Sequence, residues 1–548
     1  MNAHRHDFPW ISDQGDGTYR NPVLHADYSD PDVIRVGEDF YLTSSSFNCV
    51  PGLPILHSRD LVNWTLVNHA LRELPHPRYA EVQPGQGVWA PSIRHHDGRF
   101  WIFFPTPDEG IYVTTAVDPA GEWSKPHLLL RGKGLIDPCP LWDDDGKAYV
   151  IYAYAGSRSG IRNKLHLRPM SPCGTKILGE GKIVAEIHPG LPALEGPKLH
   201  KLDGWYYISA PSGGVASGWQ VIFRSRDIQG PYEEKIVLSQ RGSEVNGPHQ
   251  GALVDTPKGE WWFLHFQDKG LYGRIVHLQP VRWVDGWPLI GEAQDRDGVG
   301  RPVMRHAKPD VGDAGLVAVP QTSDDFKRRA LGLQWQWQGN PESDWYSLAE
   351  RPDHLTLKPR FVLGGDLRLA PNLLLQKFPA EEFTVETCVD LSPASRCLHA
   401  GLLVAGVEYA ALDVVRGAEG YEVRQMNACE GGEVVRVNGP TVTLQVKVGV
   451  GGVCRFGIVQ AGGDFYQIGP AFHAKAGKWI GAKVGLYCIT TDVLDASGSA
   501  AFPYFRFLSS TVKNGHETPA ILATMNGNGA GRPASREVEK SKPEWIPS

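Results

Sequence analysis

Tyr28-Ser29-Asp30-Pro31-Asp32 sets the pattern that four later segments of the chain repeat. In each, a polar or aromatic residue stands beside a proline, and a Gly or acidic turn and an aromatic strand follow within about ten positions. Asp30-Pro31 precedes Gly37-Glu38-Asp39 and Phe40-Tyr41; Trp89-Ala90-Pro91 precedes Asp97-Gly98 and Phe100-Trp101. Asp137-Pro138 leads to Asp145-Gly146 and Tyr149, Glu195-Gly196-Pro197 to Asp203-Gly204 and Tyr206-Tyr207, and Pro248-His249-Gln250 to Gly259-Glu260 and Trp261-Trp262. The units recur roughly every 50–60 residues, the period of a propeller or array. Strand, tight turn, strand, Asp-turn-aromatic is the order of an up-and-down four-stranded blade. Five blades imply a ring, with Asp30, Trp89, Asp137, Glu195 and His249 or Gln250 facing one another across its axis.

The chain has 548 residues, too many for one ordinary core. Abundant Gly, Trp and Tyr and a scarcity of long helix-forming runs predict an all-β protein. The predicted organisation is a lead-in over 1–20, the propeller over 21–300, a linker over 301–322, a β-sandwich over 323–510 and a flexible tail over 511–548. The sandwich is read from alternation at Leu355 and Leu357, Leu367 and Leu369, Phe383 and Val385, and Thr441 to Val448. The tail is Gly-, Pro-, Lys- and Glu-rich with little to bury.

A net charge of −6 favours no nucleic-acid partner. No run of about 18 apolar residues suggests a membrane span, and the first residues lack the apolar core of a signal peptide. Eight scattered cysteines without a CxxC pair predict reduced thiols, hence a cytoplasmic protein, or a periplasmic or secreted one if a leader has been removed.

Three of the leading residues are carboxyls. Glycosidic cleavage needs one protonated carboxyl for the leaving oxygen and one carboxylate to activate water or attack the anomeric carbon. Acids sharing a cleft push their pKa values apart, and a third can tune the proton donor. Asp-Pro and Glu-Gly-Pro segments are common turns, but three carboxyls at matching repeat positions favour a site.

Asn21-Pro22-Val23-Leu24 before Ser29-Asp30-Pro31-Asp32, then Gly87-Val88-Trp89-Ala90-Pro91, Leu135-Ile136-Asp137-Pro138 and Glu195-Gly196-Pro197, resemble glycoside hydrolase family 43 over about residues 20–510. The narrower likeness is to its two-domain β-xylosidases and α-L-arabinofuranosidases. The resemblance implies a five-bladed propeller followed by a concanavalin-like jelly-roll sandwich, and exo-acting hydrolysis with inversion. It implies Asp30 as general base, Glu195 as general acid and Asp137 as the residue that tunes and orients the acid. It further implies Arg274 on the sugar hydroxyls and Trp89 and Phe47 as aromatic walls. The substrate would be a xylo-oligosaccharide or an arabinoxylan fragment, with no cofactor required, and the subunits could form a homo-oligomer. Many family members hold a calcium ion or a water cluster at the axis through a histidine in a Gly-His segment. This sequence departs from that pattern with Gly247-Pro248-His249-Gln250-Gly251, where simple register puts Gln250 on the usual histidine and the resemblance implies His249 or Gln250 as the ligand of a calcium ion. Two rival readings, a fructan-type hydrolase and a glycan-binding propeller without catalysis, fit less well. The first expects a Glu-Cys pair where Glu195-Gly196 stands, and the second has no use for three carboxyls.

Overall fold

The computed structural model describes residues 9–508, apart from 187, 294–296, 313–314, 392–394 and 428–430. It is all-β, and five four-stranded antiparallel blades follow one another along the chain. Blade I comprises Asp32–Val36, Asp39–Thr43, Gly52–Ser58 and Thr65–Leu71; blade II comprises Ser92–His96, Arg99–Thr106, Gly110–Ala116 and His127–Arg131. Blade III comprises Leu135–Trp142, Ala148–Tyr154, Lys164–Met170 and Lys182–Glu186, and blade IV Lys198–Leu202, Trp205–Ser212, Trp219–Ser225 and Glu233–Leu238. Blade V comprises His249–Asp255, Trp261–Asp268, Arg274–Val284 and Trp287–Ile290.

The first hairpins close as their sequences dictate. Asp97-Gly98 (φ 49° and 68°) and Asp203-Gly204 (φ 49° and 71°) supply two consecutive left-handed residues, which a two-residue turn matched to strand twist requires. Asp143-Asp144-Asp145-Gly146 is likewise a turn, its Asp143 N–H donating to the Lys147 carbonyl at 2.7 Å. Strand faces pack blade against blade: Ile136, Ile151, Leu165, Leu199, Ile208 and Val221, for example, share one buried cluster between blades III and IV.

The second domain packs two sheets face to face. One carries Phe383–Asp390 between Thr441–Gly449 and Ala500–Phe502, the other Leu398–Ala405 between Lys483–Thr490 and Tyr409–Gly417. Along Phe383–Asp390 burial alternates residue by residue, as a strand with one face in the core must. Trp335 and Trp337 lie in that core. The sandwich docks on the loops of blades I and V. Val50 and Trp337 exchange backbone hydrogen bonds at 3.0 and 2.6 Å, and the Ala482 N–H donates to the Leu271 carbonyl at 2.7 Å.

Three expectations change. Within the predicted lead-in, the described residues are tied to the fold: Tyr19 is fully buried, and Thr18–Arg20 pairs antiparallel with Arg305–Ala307. That pairing, with Gly300–Arg301 joined to the edge of blade IV, also gives strand structure to the turn-rich connector. Leu367–Leu369 is a short 3-10 turn capped by the Asp366 carboxylate rather than a strand. The predicted tail lies outside the described residues. The seven cysteines among the described residues are unpaired, and no helix there is long and apolar enough to cross a membrane.

Candidate active site

Asp30 ends the approach to blade I with a left-handed backbone (φ 55°), a conformation that Asp tolerates better than most side chains. It is 5% exposed. Its Oδ2 accepts hydrogen bonds from the hydroxyls of Ser29 (2.7 Å) and Ser45 (2.5 Å), and Arg274 Nη1 donates to Oδ1 at 3.0 Å and to Oδ2 at 3.3 Å. Arg274 Nη1 also donates to Ser29 Oγ at 2.7 Å. The guanidinium lies 4.8 Å from the centre of the Phe266 ring, which fixes its plane. Blade V thus clamps the carboxylate of blade I, and two serines orient it.

Asp137 repeats the left-handed backbone (φ 56°), at a break in the register of Leu135–Trp142 against Ala148–Tyr154. Its Oδ2 accepts the Gly196 N–H at 2.8 Å, so it holds the peptide immediately after Glu195. In backbone register Asp30, Asp137 and Gln250 (φ 40°) correspond to Gly196 (φ 59°), not to Glu195. The shared position expected from sequence is therefore displaced by one residue in blade IV. A Cβ on Gly196 would stand 2.9 Å from Gln250 Cδ and from Pro211 Cδ, so the crowded axis takes glycine there and the carboxyl comes from the residue before.

Burial raises the pKa of Glu195, to about 8, and the Asp137 carboxylate adds to the rise. With 34% of the Glu195 side chain exposed, solvent offsets part of the effect. Burial also raises Asp137, and Asp30 raises it further, against the Gly196 N–H and the Lys198 and Arg274 cations. Two acids that hold their protons toward neutrality thus share a cleft with a carboxylate fixed by an arginine.

The rings of Phe47 and Trp89 are 6.4 Å apart and tilted by 57°, and Trp89 packs against the buried cluster that holds Ile136, the neighbour of Asp137. The Trp89 indole N–H donates to the Gly85 carbonyl at 3.0 Å, and the Arg158 guanidinium covers one part of the ring at 5.1 Å. Sequence reasoning did not anticipate Trp479. It projects from the sandwich, 42% exposed, edge-on to Trp89 at 6.4 Å and 5.8 Å from the Arg274 guanidinium. Its signal in sequence is slight: one tryptophan between Gly477 and Gly481.

His249, fully buried, faces the acid: its Nε2 is 3.6 Å from Glu195 Oε1. Burial and the Arg274 cation push its pKa down to about 3, so the ring is neutral. Calcium prefers six to eight oxygen ligands. The donors at this point are an imidazole and the Gln250 amide, whose oxygen is a donor of the kind calcium takes; both ring nitrogens of His249 and Nε2 of Gln250 are buried without a hydrogen-bond partner among the described residues. Deeper along the axis, Asp32 Oδ2 accepts Arg94 Nη1 at 2.7 Å and lies 3.9 Å from Lys198 Nζ, while Arg94 Nη2 donates to Cys139 Sγ at 2.9 Å. First strands from four blades thus meet through side-chain cations. No three His, Cys, Asp or Glu side chains converge as metal ligands among the described residues.

A carboxyl whose pKa is raised and a second carboxylate held by an arginine suit acid–base cleavage of a glycosidic bond. The family model for glycosyl hydrolases family 43 matches residues 19–288, and that for the β-xylosidase C-terminal concanavalin A-like domain matches residues 323–508. A relative from Xylanibacter ruminicola is 40% identical over 514 residues, 91% of each chain. A non-reducing end α-L-arabinofuranosidase from Bacteroides ovatus is 32% identical, covering 71% of this chain and 73% of its own. The crystal structure of a xylan β-1,4-xylosidase from Bacillus halodurans C-125 superposes with a TM-score of 0.78 at 26% identity, covering 89% of this chain and 99% of that one. The two-domain match over nearly the whole chain makes this protein a glycosidase of glycoside hydrolase family 43.

Proposed function

We propose that the enzyme releases β-D-xylose from the non-reducing ends of xylo-oligosaccharides with inversion. Asp30 acts as general base, Glu195 as general acid, and Asp137 tunes and orients the acid. The observation that carries this reading is the contrast within the cleft: Asp30 is held by Arg274 and two serine hydroxyls, whereas Glu195 is desolvated beside Asp137. Environments that push two carboxyls apart assign the acid and the base. Arg274 donates to the hydroxyls of the terminal sugar, and Phe47, Trp89 and Trp479 give it apolar walls. With Trp479 closing one side, the cleft suits a chain end.

Proton NMR of the first-formed sugar during hydrolysis of an aryl β-D-xyloside tests the proposal. Initial α-xylose is expected, and initial β-xylose would make one carboxylate a nucleophile and overturn the assignment. A second reading, mainly α-L-arabinofuranosidase, draws on the Bacteroides ovatus relative. The ratio of kcat/KM on aryl xyloside and arabinofuranoside decides between the two.

A pH profile tests the role of Asp137. The acid works protonated, so kcat/KM falls as pH rises through the elevated pKa of Glu195. Asp137→Asn removes a negative charge that resists ionisation of Glu195, while its amide oxygen can still accept the Gly196 N–H. The alkaline limb is therefore expected to move to lower pH, by on the order of one unit. An unmoved limb would deny Asp137 the tuning role.

A further inference from the structure

Asp27 touches neither of the acids nor the aromatic walls, yet the two domains and the cleft meet at its side chain. It is 5% exposed. Oδ1 accepts the backbone N–H of Arg274 at 2.9 Å, and Oδ2 accepts that of Gly481 at 3.0 Å. Its carbonyl oxygen accepts Lys377 Nζ at 2.6 Å, and that ammonium lies 5.0 Å from the centre of the Tyr28 ring. Arg274 belongs to blade V, Gly481 and Lys377 to the sandwich, and Asp27 to the approach to blade I.

The three backbones are packed too closely for side chains to come between them. A Cβ on Gly273 would stand 2.5 Å from Asp27 Cγ, and one on Gly481 would stand 2.7 Å from the Tyr272 carbonyl carbon. Each N–H that Asp27 receives lies next to a residue of the cleft. Arg274 itself clamps Asp30, and Trp479 is two residues before Gly481. Trp479 has a left-handed backbone (φ 66°), strained for a bulky side chain and kept only where the surroundings enforce it. The bond from Asp27 to Gly481 is part of that enforcement.

We propose that Asp27 is a positioning residue: its carboxylate bridges Arg274 N and Gly481 N and so sets Trp479 and Arg274 in register across the domain boundary. Through it the sandwich shapes the sugar subsite; the kinetic consequence rests on the function proposed above. Asp27→Asn keeps the volume but can accept only one of the two N–H groups, and it turns a donor toward the other.

Two readouts on the full-length enzyme test this. In hydrogen exchange without substrate, Asp27→Asn is expected to speed exchange in peptides covering 271–275 and 475–482 and to leave blades II and III at wild-type rates. Wild-type protection in both loops would overturn the proposal whatever the enzyme's substrate. In kinetics on an aryl xyloside, Asp27→Asn should lower kcat/KM about tenfold, mainly through KM. Adding Trp479→Ala to Asp27→Asn should cost much less than the same change in the wild type, because residues acting as a unit are not additive. Full additivity would overturn the coupling. A wild type inactive on xyloside and arabinofuranoside would instead overturn the substrate assignment, with the exchange experiment still deciding on Asp27. If Asp27→Asn does not fold, Gly481→Ala strains the same junction from the sandwich side, and the same faster exchange in 271–275 is expected of it.

Discussion

Glu195→Ala is expected to lower kcat on xylo-oligosaccharides by about a thousandfold, and to lose far less on a dinitrophenyl xyloside. General acid catalysis contributes typically about 10² to 10⁴ in rate, most where the leaving oxygen is basic. A sugar hydroxyl leaves poorly without a proton, whereas a dinitrophenolate leaves without one. In the proposed role, the raised pKa of Glu195 keeps that proton available near neutral pH. The substitution should spare the fold. The Glu195 backbone N–H donates to the Pro211 carbonyl at 3.3 Å whatever side chain it carries, and removing a desolvated acid beside Asp137 relieves repulsion. Steady-state rates on the two substrates check the result. An equal loss on both would mean that Glu195 matters for something other than protonating the leaving group.

Asp30→Asn should lower kcat by about 10² to 10⁴ on both substrates alike, because activation of water is needed whatever the leaving group. The amide oxygen can still accept from Arg274, while the NH2 takes the place of Oδ2 and faces Ser29 and Ser45, whose hydroxyls can turn to accept. Binding of the sugar should therefore change little and the loss should fall on kcat rather than KM. It also removes a negative charge that helps to raise Glu195, so the alkaline limb of any residual activity should move to lower pH. Activity close to wild type would exclude Asp30 from the reaction and leave it as the counter-charge of Arg274. Together the variants separate the two carboxyls: one shows a dependence on the leaving group and the other does not.

The parts of this molecule legible in sequence are those that local chemistry sets. Asp97-Gly98 and Asp203-Gly204 are turns because two consecutive residues there must be left-handed. The aromatic strands after them mark blade after blade, and the Asp-Pro pairs mark the axis. What stayed hidden depends on partners distant in sequence. Trp479 meets Trp89, and Asp27 meets Gly481, and no periodicity links residues so far apart. The one-residue displacement at Glu195-Gly196 is written in the sequence, where Glu195 stands two residues before its proline and Asp30 and Asp137 stand one before theirs; its cause, the space left by Gln250 and Pro211, is a property of the assembled ring. The axial cations Arg94 and Lys198 read in sequence as ordinary strand residues, and only the convergence of first strands on Asp32 gives them a counter-charge.

Among the described residues no blade takes a strand from the far end of the chain, and the ring is joined by another device. Asn21, buried, accepts the Leu278 N–H at 2.8 Å and donates to the carbonyls of Leu278 and Val303, each at 2.8 Å. Val23 and Leu24 exchange backbone hydrogen bonds with Val276. This clasp runs alongside Arg274–Val284, and the same gap is crossed a few residues later by Arg274 reaching Ser29 and Asp30. The gauge of the proposed catalytic cleft thus depends on how tightly Asn21, Val23 and Leu24 fasten the fifth blade to the first.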